Sequence, residues 1–191
     1  MIRLVIFDMD GTVFESHLDW VKIREDLDIN AKGNILKEIY RDGSIDQARL
    51  AKLERYEDGN TLITKPIKGI VDFLSFLKCR VISTALVTNN SQKNTEFLLD
   101  KFTLSFDMVI TRERRLWKPS PDPFLYVMEQ FSCDRHETIS IGDSRYDVQA
   151  ANEAGIKNIY IIRNEKAILP ENTDHIVFFR DFIELKEMLV F

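Results

Sequence analysis

Apolar residues along the chain fall into short runs separated by stretches of helical spacing. Six runs, at residues 3–8, 85–88, 108–111, 138–141, 158–162 and 175–178, predict strands. Most are continuously hydrophobic, as in Leu4-Val5-Ile6-Phe7. A parallel sheet covered on both faces requires that pattern, because neither face of the strand meets water. Between the runs, apolar residues recur every three or four positions. Ile70, Phe73, Leu74 and Leu77 make one stripe. Phe97, Leu98 and Phe102 make a second behind Ser91, a capping residue. Phe124, Leu125, Met128 and Phe131 make a third behind Ser120-Pro121. Ser144 opens a fourth helix through Val148 and Ala151, which Gly155 ends. Strand and helix alternate, so the prediction is an α/β domain with a doubly wound, Rossmann-like parallel sheet.

Residues 16–65 break the alternation, with helical patterns and no convincing strand. Trp20, Ile23 and Leu27 form one apolar stripe, and Ile35, Leu36, Ile39 and Tyr40 a second. Trp20 is expected to pack between helices. Gly43 stops the second helix, and Ser44 with Gln47 has the spacing of a capping box for a third. The chain is therefore expected to divide into a Rossmann-like core, residues 1–15 and 66–191, and a small helical cap, residues 16–65, inserted after the first strand.

Composition narrows the functional classes. At 191 residues, 45% hydrophobic and 30% charged, the chain is an ordinary globular domain that can bury a core without staples. The net charge of −5, without a dense Lys/Arg run, argues against a nucleic-acid partner. Arg112, Arg114 and Arg115 surround Glu113 and read as a solvated surface. Cys79 and Cys133 form no CxxC pair and read as small packing residues. With no leader pattern and no apolar stretch long enough for a bilayer, no membrane partner is expected and the expected location is cytoplasmic. Nothing in the pattern bears on oligomeric state.

The polar residues that follow the strands carry the chemistry. The first strand runs into Asp8-Met9-Asp10-Gly11-Thr12, the second into Thr88-Asn89-Asn90, and the one at 138–141 into Gly142-Asp143-Ser144, with Asp147 a turn later. Lys118 stands in Trp117-Lys118-Pro119, directly before a helix. In open α/β sheets the carboxyl ends of the strands form the ligand crevice, so these clusters can meet at one edge. Asp8, Asp10, Asp143 and Asp147 would then share a pocket with one lysine. Like charges that close repel by a few kcal/mol at an intermediate effective dielectric. Such a group raises its own pKa values or takes a cation, and oxygen ligands suit Mg²⁺. The Thr88 hydroxyl, main-chain N–H groups freed by Gly11, and Lys118 suit a phosphoryl group.

These motifs in this order resemble the haloacid dehalogenase superfamily in its phosphatase-type branch, over residues 8 to about 155. The resemblance rests on Asp8-Met9-Asp10-Gly11-Thr12 with Glu15-Ser16, Thr88-Asn89, Lys118-Pro119 with Pro121-Asp122, and Gly142-Asp143-Ser144 with Asp147. It implies a Mg²⁺-dependent phosphatase for a small phosphorylated metabolite, such as phosphoglycolate or a sugar phosphate. Asp8 would be the nucleophile that forms an aspartyl-phosphate, and Asp10 the general acid and then base. Thr88, Asn89 and Lys118 would bind phosphate. The Asp8 carboxylate, the Asp10 carbonyl and Asp143 would hold the metal, with Asp147 behind them orienting Lys118 or a metal-bound water. The family places its first and fourth motifs on adjacent strands. Relatives that cleave carbon–halogen bonds lack a carboxylate at the position of Asp10, so phosphate-ester chemistry is implied here. A phosphomutase using the same groups, and a catalytically silent binding protein of the same fold, are the alternatives. Trp117 stands where many relatives have glycine and is expected to pack.

Overall fold

The computed structural model describes residues 1–30, 33–163 and 176–189. In chain order the elements are β1 (Leu4–Phe7), α1 (Trp20–Asp26), α2 (Ile35–Ile39), a 3-10 segment (Arg41–Gly43), α3 (Gln47–Ile63), α4 (Ile70–Cys79) and β2 (Ser83–Val87). They continue with α5 (Gln92–Phe102), β3 (Met108–Ile110), a second 3-10 segment (Arg112–Arg114), α6 (Asp122–Gln130), β4 (Thr138–Gly142), α7 (Arg145–Glu153), β5 (Asn158–Ile162), β6 (Ile176–Phe179) and α8 (Phe182–Met188). The run predicted at 175–178 starts at a residue outside those described, and its strand runs one residue further. No helix among the described residues is long and apolar enough to cross a membrane.

The strands form one parallel sheet in the order β3-β2-β1-β4-β5-β6. The continuous hydrophobic runs have the cause inferred from the sequence. In β1, Val5 and Phe7 join the layer of α4, α5 and α8, through Phe73, Leu77, Leu98, Phe182 and Leu185. Leu4 and Ile6 join the opposite layer of α6 and α7, through Phe124, Val127, Val148 and Ala151. The period of two sends alternate side chains to opposite faces, and both faces are dry.

Ser91 caps α5 by accepting from the Asn94 N–H at 3.2 Å. Ser144 and Asp147 form a capping box on α7. Three local expectations fail. The cap of α3 is Asp46, which accepts from the Arg49 N–H at 3.0 Å, so Ser44 is not the N-cap. Asp and Ser are near-equal as caps, and the chain that leaves the 3-10 segment brings Asp46, not Ser44, to the first free N–H groups. Trp20 is 41% exposed at the start of α1, while Ile23 and Leu27 of the same stripe are buried. Cys79 is likewise exposed, at the end of α4.

Helices α1 to α3 gather a separate apolar cluster, with Ile23, Leu27, Ile35, Leu36, Ile39 and Leu53 at its centre. Arg49 binds this unit together by donating to the Leu27 and Asp28 carbonyls at 2.8 and 3.1 Å. The chain enters and leaves the unit side by side. The Glu15 N–H donates to the Lys65 carbonyl, and the Ile67 N–H to that of Val13, each at 2.9 Å.

Phe73 touches Phe7 and Phe182 with ring centroids 6.1 and 5.2 Å apart and is fully buried. Phe73→Ala is expected to lower the unfolding free energy by about 3–5 kcal/mol. Trp20→Ala is expected to change it by less than about 0.5 kcal/mol, as for an exposed site. Urea unfolding of the two variants checks the contrast.

Candidate active site

Register brings the motifs together. Phe7 lies opposite Leu86 of β2 on one side and Ile141 of β4 on the other. The residues that follow, Asp8, Thr88 and Asp143, therefore emerge at the same carboxyl edge. This is where the strand order reverses and the sheet opens a crevice.

The turn after β1 is pinned by the core. Met9, Val13 and Phe14 are fully buried. The N–H groups of Thr12, Val13 and Phe14 all donate to the Met9 carbonyl, at 3.2, 2.9 and 3.0 Å. Gly11 has φ +88°, and a Cβ there would drive into the Asp143 carboxylate. Gly142 leaves the matching space on β4, since a Cβ there would meet the Asp147 side chain. These two glycines allow the acids of β1 and β4 to approach across the sheet.

Lys118 lies at the centre, 3% exposed. Its Nζ donates to Asp8 Oδ1 and, at 2.7 Å, to Asp147 Oδ1. Asp8 Oδ2 accepts from the Thr12 hydroxyl at 3.2 Å. Asp147 Oδ2 accepts from the Ser144 hydroxyl at 2.6 Å, the Ser144 N–H at 3.0 Å and the Asp143 N–H at 3.3 Å. The Asn89 side chain clasps the Lys118 main chain, donating to its carbonyl at 2.9 Å and accepting its N–H at 3.0 Å. The Thr88 hydroxyl, buried, accepts the Asn90 N–H at 3.0 Å, which leaves its own hydrogen to donate. From the helical unit, Asn34 Nδ2 reaches the Lys118 carbonyl at 3.5 Å.

Asp10 turns aside from this cluster. Its Oδ2 accepts from Asn90 Nδ2 at 2.9 Å, and its Oδ1 is buried with no partner among the described residues. Sequence reasoning missed both Asn90 and Thr12 as supports. Each stands inside a motif, but only the fold shows which carboxylate it serves.

Electrostatics follow from four acids around one ammonium. Burial opposes the charge on Lys118, but Asp147 and Asp8 together outweigh it and hold the ammonium above its usual value. Burial raises Asp8 to about 7, with Lys118 pulling it back and the charge of Asp147 adding to the rise. Burial raises Asp10 as well, against the Asn90 bond and Lys118. Asp143 is pushed well up by burial and by the neighbouring charges of Asp8 and Asp147. One oxygen each from Asp8, Asp143 and Asp147 lie within 4.8 Å of one another. Hard oxygen donors with surplus negative charge fit a divalent cation.

The sequence-based expectation of a solvated arginine cluster holds at Arg114 and Arg115 and fails at Arg112. Arg112 is 1% exposed, and its Nη1 donates to both oxygens of the buried Glu57 on α3, at 2.9 and 2.8 Å. The partner lies 55 residues away in sequence, so nothing local in Arg112-Glu113-Arg114-Arg115 distinguishes the buried arginine from its exposed neighbours. Burial pushes the Glu57 carboxyl up and the charge of Asp10 adds to the rise, while the Arg112 guanidinium on both its oxygens draws it back toward the charged form. Trp117 packs as expected, its ring 4.9 Å from that of Tyr40. His17 is exposed and offers its N–H to Asn60 Oδ1 at 2.8 Å.

Known proteins resemble this chain in sequence and in fold. The sequence model of the haloacid dehalogenase-like hydrolases matches residues 5–161. The chain is 29% identical over 184 residues to phosphoglycolate phosphatase 1 of Pseudomonas aeruginosa, covering 81% of this chain and 67% of that one. Two solved structures share the fold. A HAD-superfamily hydrolase, subfamily IA, variant 1, from Geobacter sulfurreducens superposes with TM-score 0.67 at 24% identity, covering 99% of this chain and 100% of that one. CbbY of Rhodobacter sphaeroides, in complex with phosphate, superposes with TM-score 0.74 at 20% identity, covering 97% and 96%. With Asp8 after β1 and Asp147 of α7 meeting over Lys118 and the match spanning most of the sheet, the chain belongs to the haloacid dehalogenase-like hydrolase family.

Proposed function

We propose that this protein is a Mg²⁺-dependent phosphatase that hydrolyses a small phosphorylated metabolite of the phosphoglycolate or sugar phosphate type. The observation that carries the reading is Lys118 bridging Asp8 and Asp147 while Asp10, two residues beyond the nucleophile, is held aside by Asn90. The relative named phosphoglycolate phosphatase 1 supports the substrate class.

In this reading Asp8 attacks phosphorus in line with the leaving oxygen. The oxygen–phosphorus bond of the ester breaks as an aspartyl-phosphate forms, and Asp10 gives its proton to the departing oxygen. Burial favours the protonated carboxyl that this step needs on Asp10. Water then attacks the phosphoryl group, Asp10 takes the water's proton, and inorganic phosphate leaves with Asp8 restored. The orphaned Asp10 Oδ1 is free to face either partner. Lys118 and the Thr88 hydroxyl hold the phosphoryl oxygens. Asn89 serves by fixing the Lys118 main chain. The Asp8 carboxylate, the Asp10 carbonyl and Asp143 would hold Mg²⁺, which when bound neutralises the crowded acids and draws off phosphoryl charge. Asp147, with both oxygens already engaged by Lys118 and Ser144, stands behind as their support.

Residues 16–65 act in this reading as a cap over a core of residues 1–15 and 66–191. Asn34 and Glu57 reach down from it to the loops around the site. The burial of Lys118 and Asp8 beneath it favours a small substrate over a phosphoprotein.

A panel of phosphorylated metabolites, assayed for inorganic phosphate, tests the reading; stoichiometric release separates hydrolysis from transfer to a second sugar oxygen. Asp8→Asn is expected to lower kcat by more than about 1,000-fold with an unchanged circular-dichroism spectrum. Asp10→Asn is expected to slow turnover by about 100- to 10,000-fold. Chelation with EDTA is expected to stop phosphate release and added Mg²⁺ to restore it; full activity after exhaustive chelation would refute the metal assignment.

A further inference from the structure

Arg112 is a fully buried cation, and such a group is tolerated only where anions and hydrogen bonds meet it. Here they come from three segments. Glu57 of α3, itself 3% exposed at its side chain, takes Nη1 with both oxygens. Glu54, a turn earlier on α3, lies 3.5 Å from Nη2, and Glu113 lies 3.7 Å from Nε. The Arg112 N–H donates to the Asn90 carbonyl at 3.1 Å. The Arg112 carbonyl accepts from the Trp117 indole at 2.7 Å.

The same two loops hold the reacting groups. Asn90 carries the hydrogen bond to Asp10, and Trp117 directly precedes Lys118. A single residue therefore joins the long helix of the insertion to the supports of the acid and of the lysine. Withdrawing α3 would leave both the guanidinium and the Glu57 carboxyl without their partner in a site built to exclude water. The loop around Arg112 would have to rearrange, and Asn90 is bonded to that loop.

We infer that Arg112 is a positioning residue, and that its pairing with Glu57 couples the seating of α3 to the placement of Asp10. The inference rests on the phosphatase reading for its kinetic consequence and on geometry alone for the coupling.

Hydrogen exchange and steady-state kinetics on the full chain test it together. Glu57→Gln keeps the shape and removes the charge. It is expected to raise amide exchange both in α3 and in the turn at residues 9–14, and to lower kcat about tenfold while KM moves less than about threefold. Glu57→Asp, which restores the charge, is expected to recover part of both. Lys93→Ala cuts an exposed pair between Lys93 of α5 and Asp58 of α3. It is expected to leave the turn and kcat unchanged. Faster exchange confined to α3, an unchanged kcat in Glu57→Gln, or an equal effect from Lys93→Ala would overturn the coupling. If Glu57→Gln fails to fold, Glu57→Asp is measured against wild type by the same two criteria. If the wild-type chain releases phosphate from nothing tested, the phosphatase reading fails, and the exchange pattern at residues 9–14 still decides the coupling.

Discussion

The arrangement depends on one buried ammonium. Lys118 holds Asp8 with one hydrogen bond and Asp147 with another, while Asp143 and Asp10 add carboxylates that it does not reach by hydrogen bond. Four acids around one lysine are electrostatically unbalanced at this burial, and the upward displacement of Asp8, Asp10 and Asp143 expresses that imbalance. Structural ion pairs are normally matched. A surplus of hard oxygen ligands next to a lysine is instead the state of a site prepared for both a cation and an anion. The imbalance is thus a better guide to chemistry than any single residue in it.

The fold exists, in effect, to keep that imbalance in a small volume. Parallel pairing of β1 with both β2 and β4 delivers three motifs to one edge in one register. Two absences of a side chain then matter as much as any side chain. Gly11 and Gly142 leave room for the carboxylates of Asp143 and Asp147, and a methyl group at either place would push them away. Met9, between the two acids of the first motif, is buried in the core and anchors the turn that aims them differently, one toward Lys118 and one toward Asn90.

Much of this was legible in the sequence because the signals are local. A strand dry on both faces must read as an unbroken apolar run, and β1 does. A capping serine announces α5 and α7 within three residues. The site acids follow directly on strand ends, so their convergence needed only the parallel topology. What was not legible depends on distant partners. Arg112 looks like its neighbours until Glu57 is brought to it from 55 residues away. Thr12 and Asn90 are visible as motif residues, but which oxygen they hold is a matter of turn geometry. Trp20 shows the opposite error: its spacing fits the stripe of Ile23 and Leu27, but it opens the helix and lies beyond the cluster's edge.

Helix α3 explains why the insertion was the hardest region to read. Its buried face is Leu53, Glu57, Asn60 and Thr61, of which one is apolar. A hydrophobic stripe would have fixed the helix against the core without specificity. A polar face is costly to bury where its groups lack partners, so the partners it does find favour one seating. Glu57 finds Arg112 and Asn60 finds the His17 N–H, but among the described residues Asn60 Nδ2, Thr61 Oγ1 and Asp10 Oδ1 find no partner. Buried polar atoms without partners cost free energy, so these three are the least settled groups around the site.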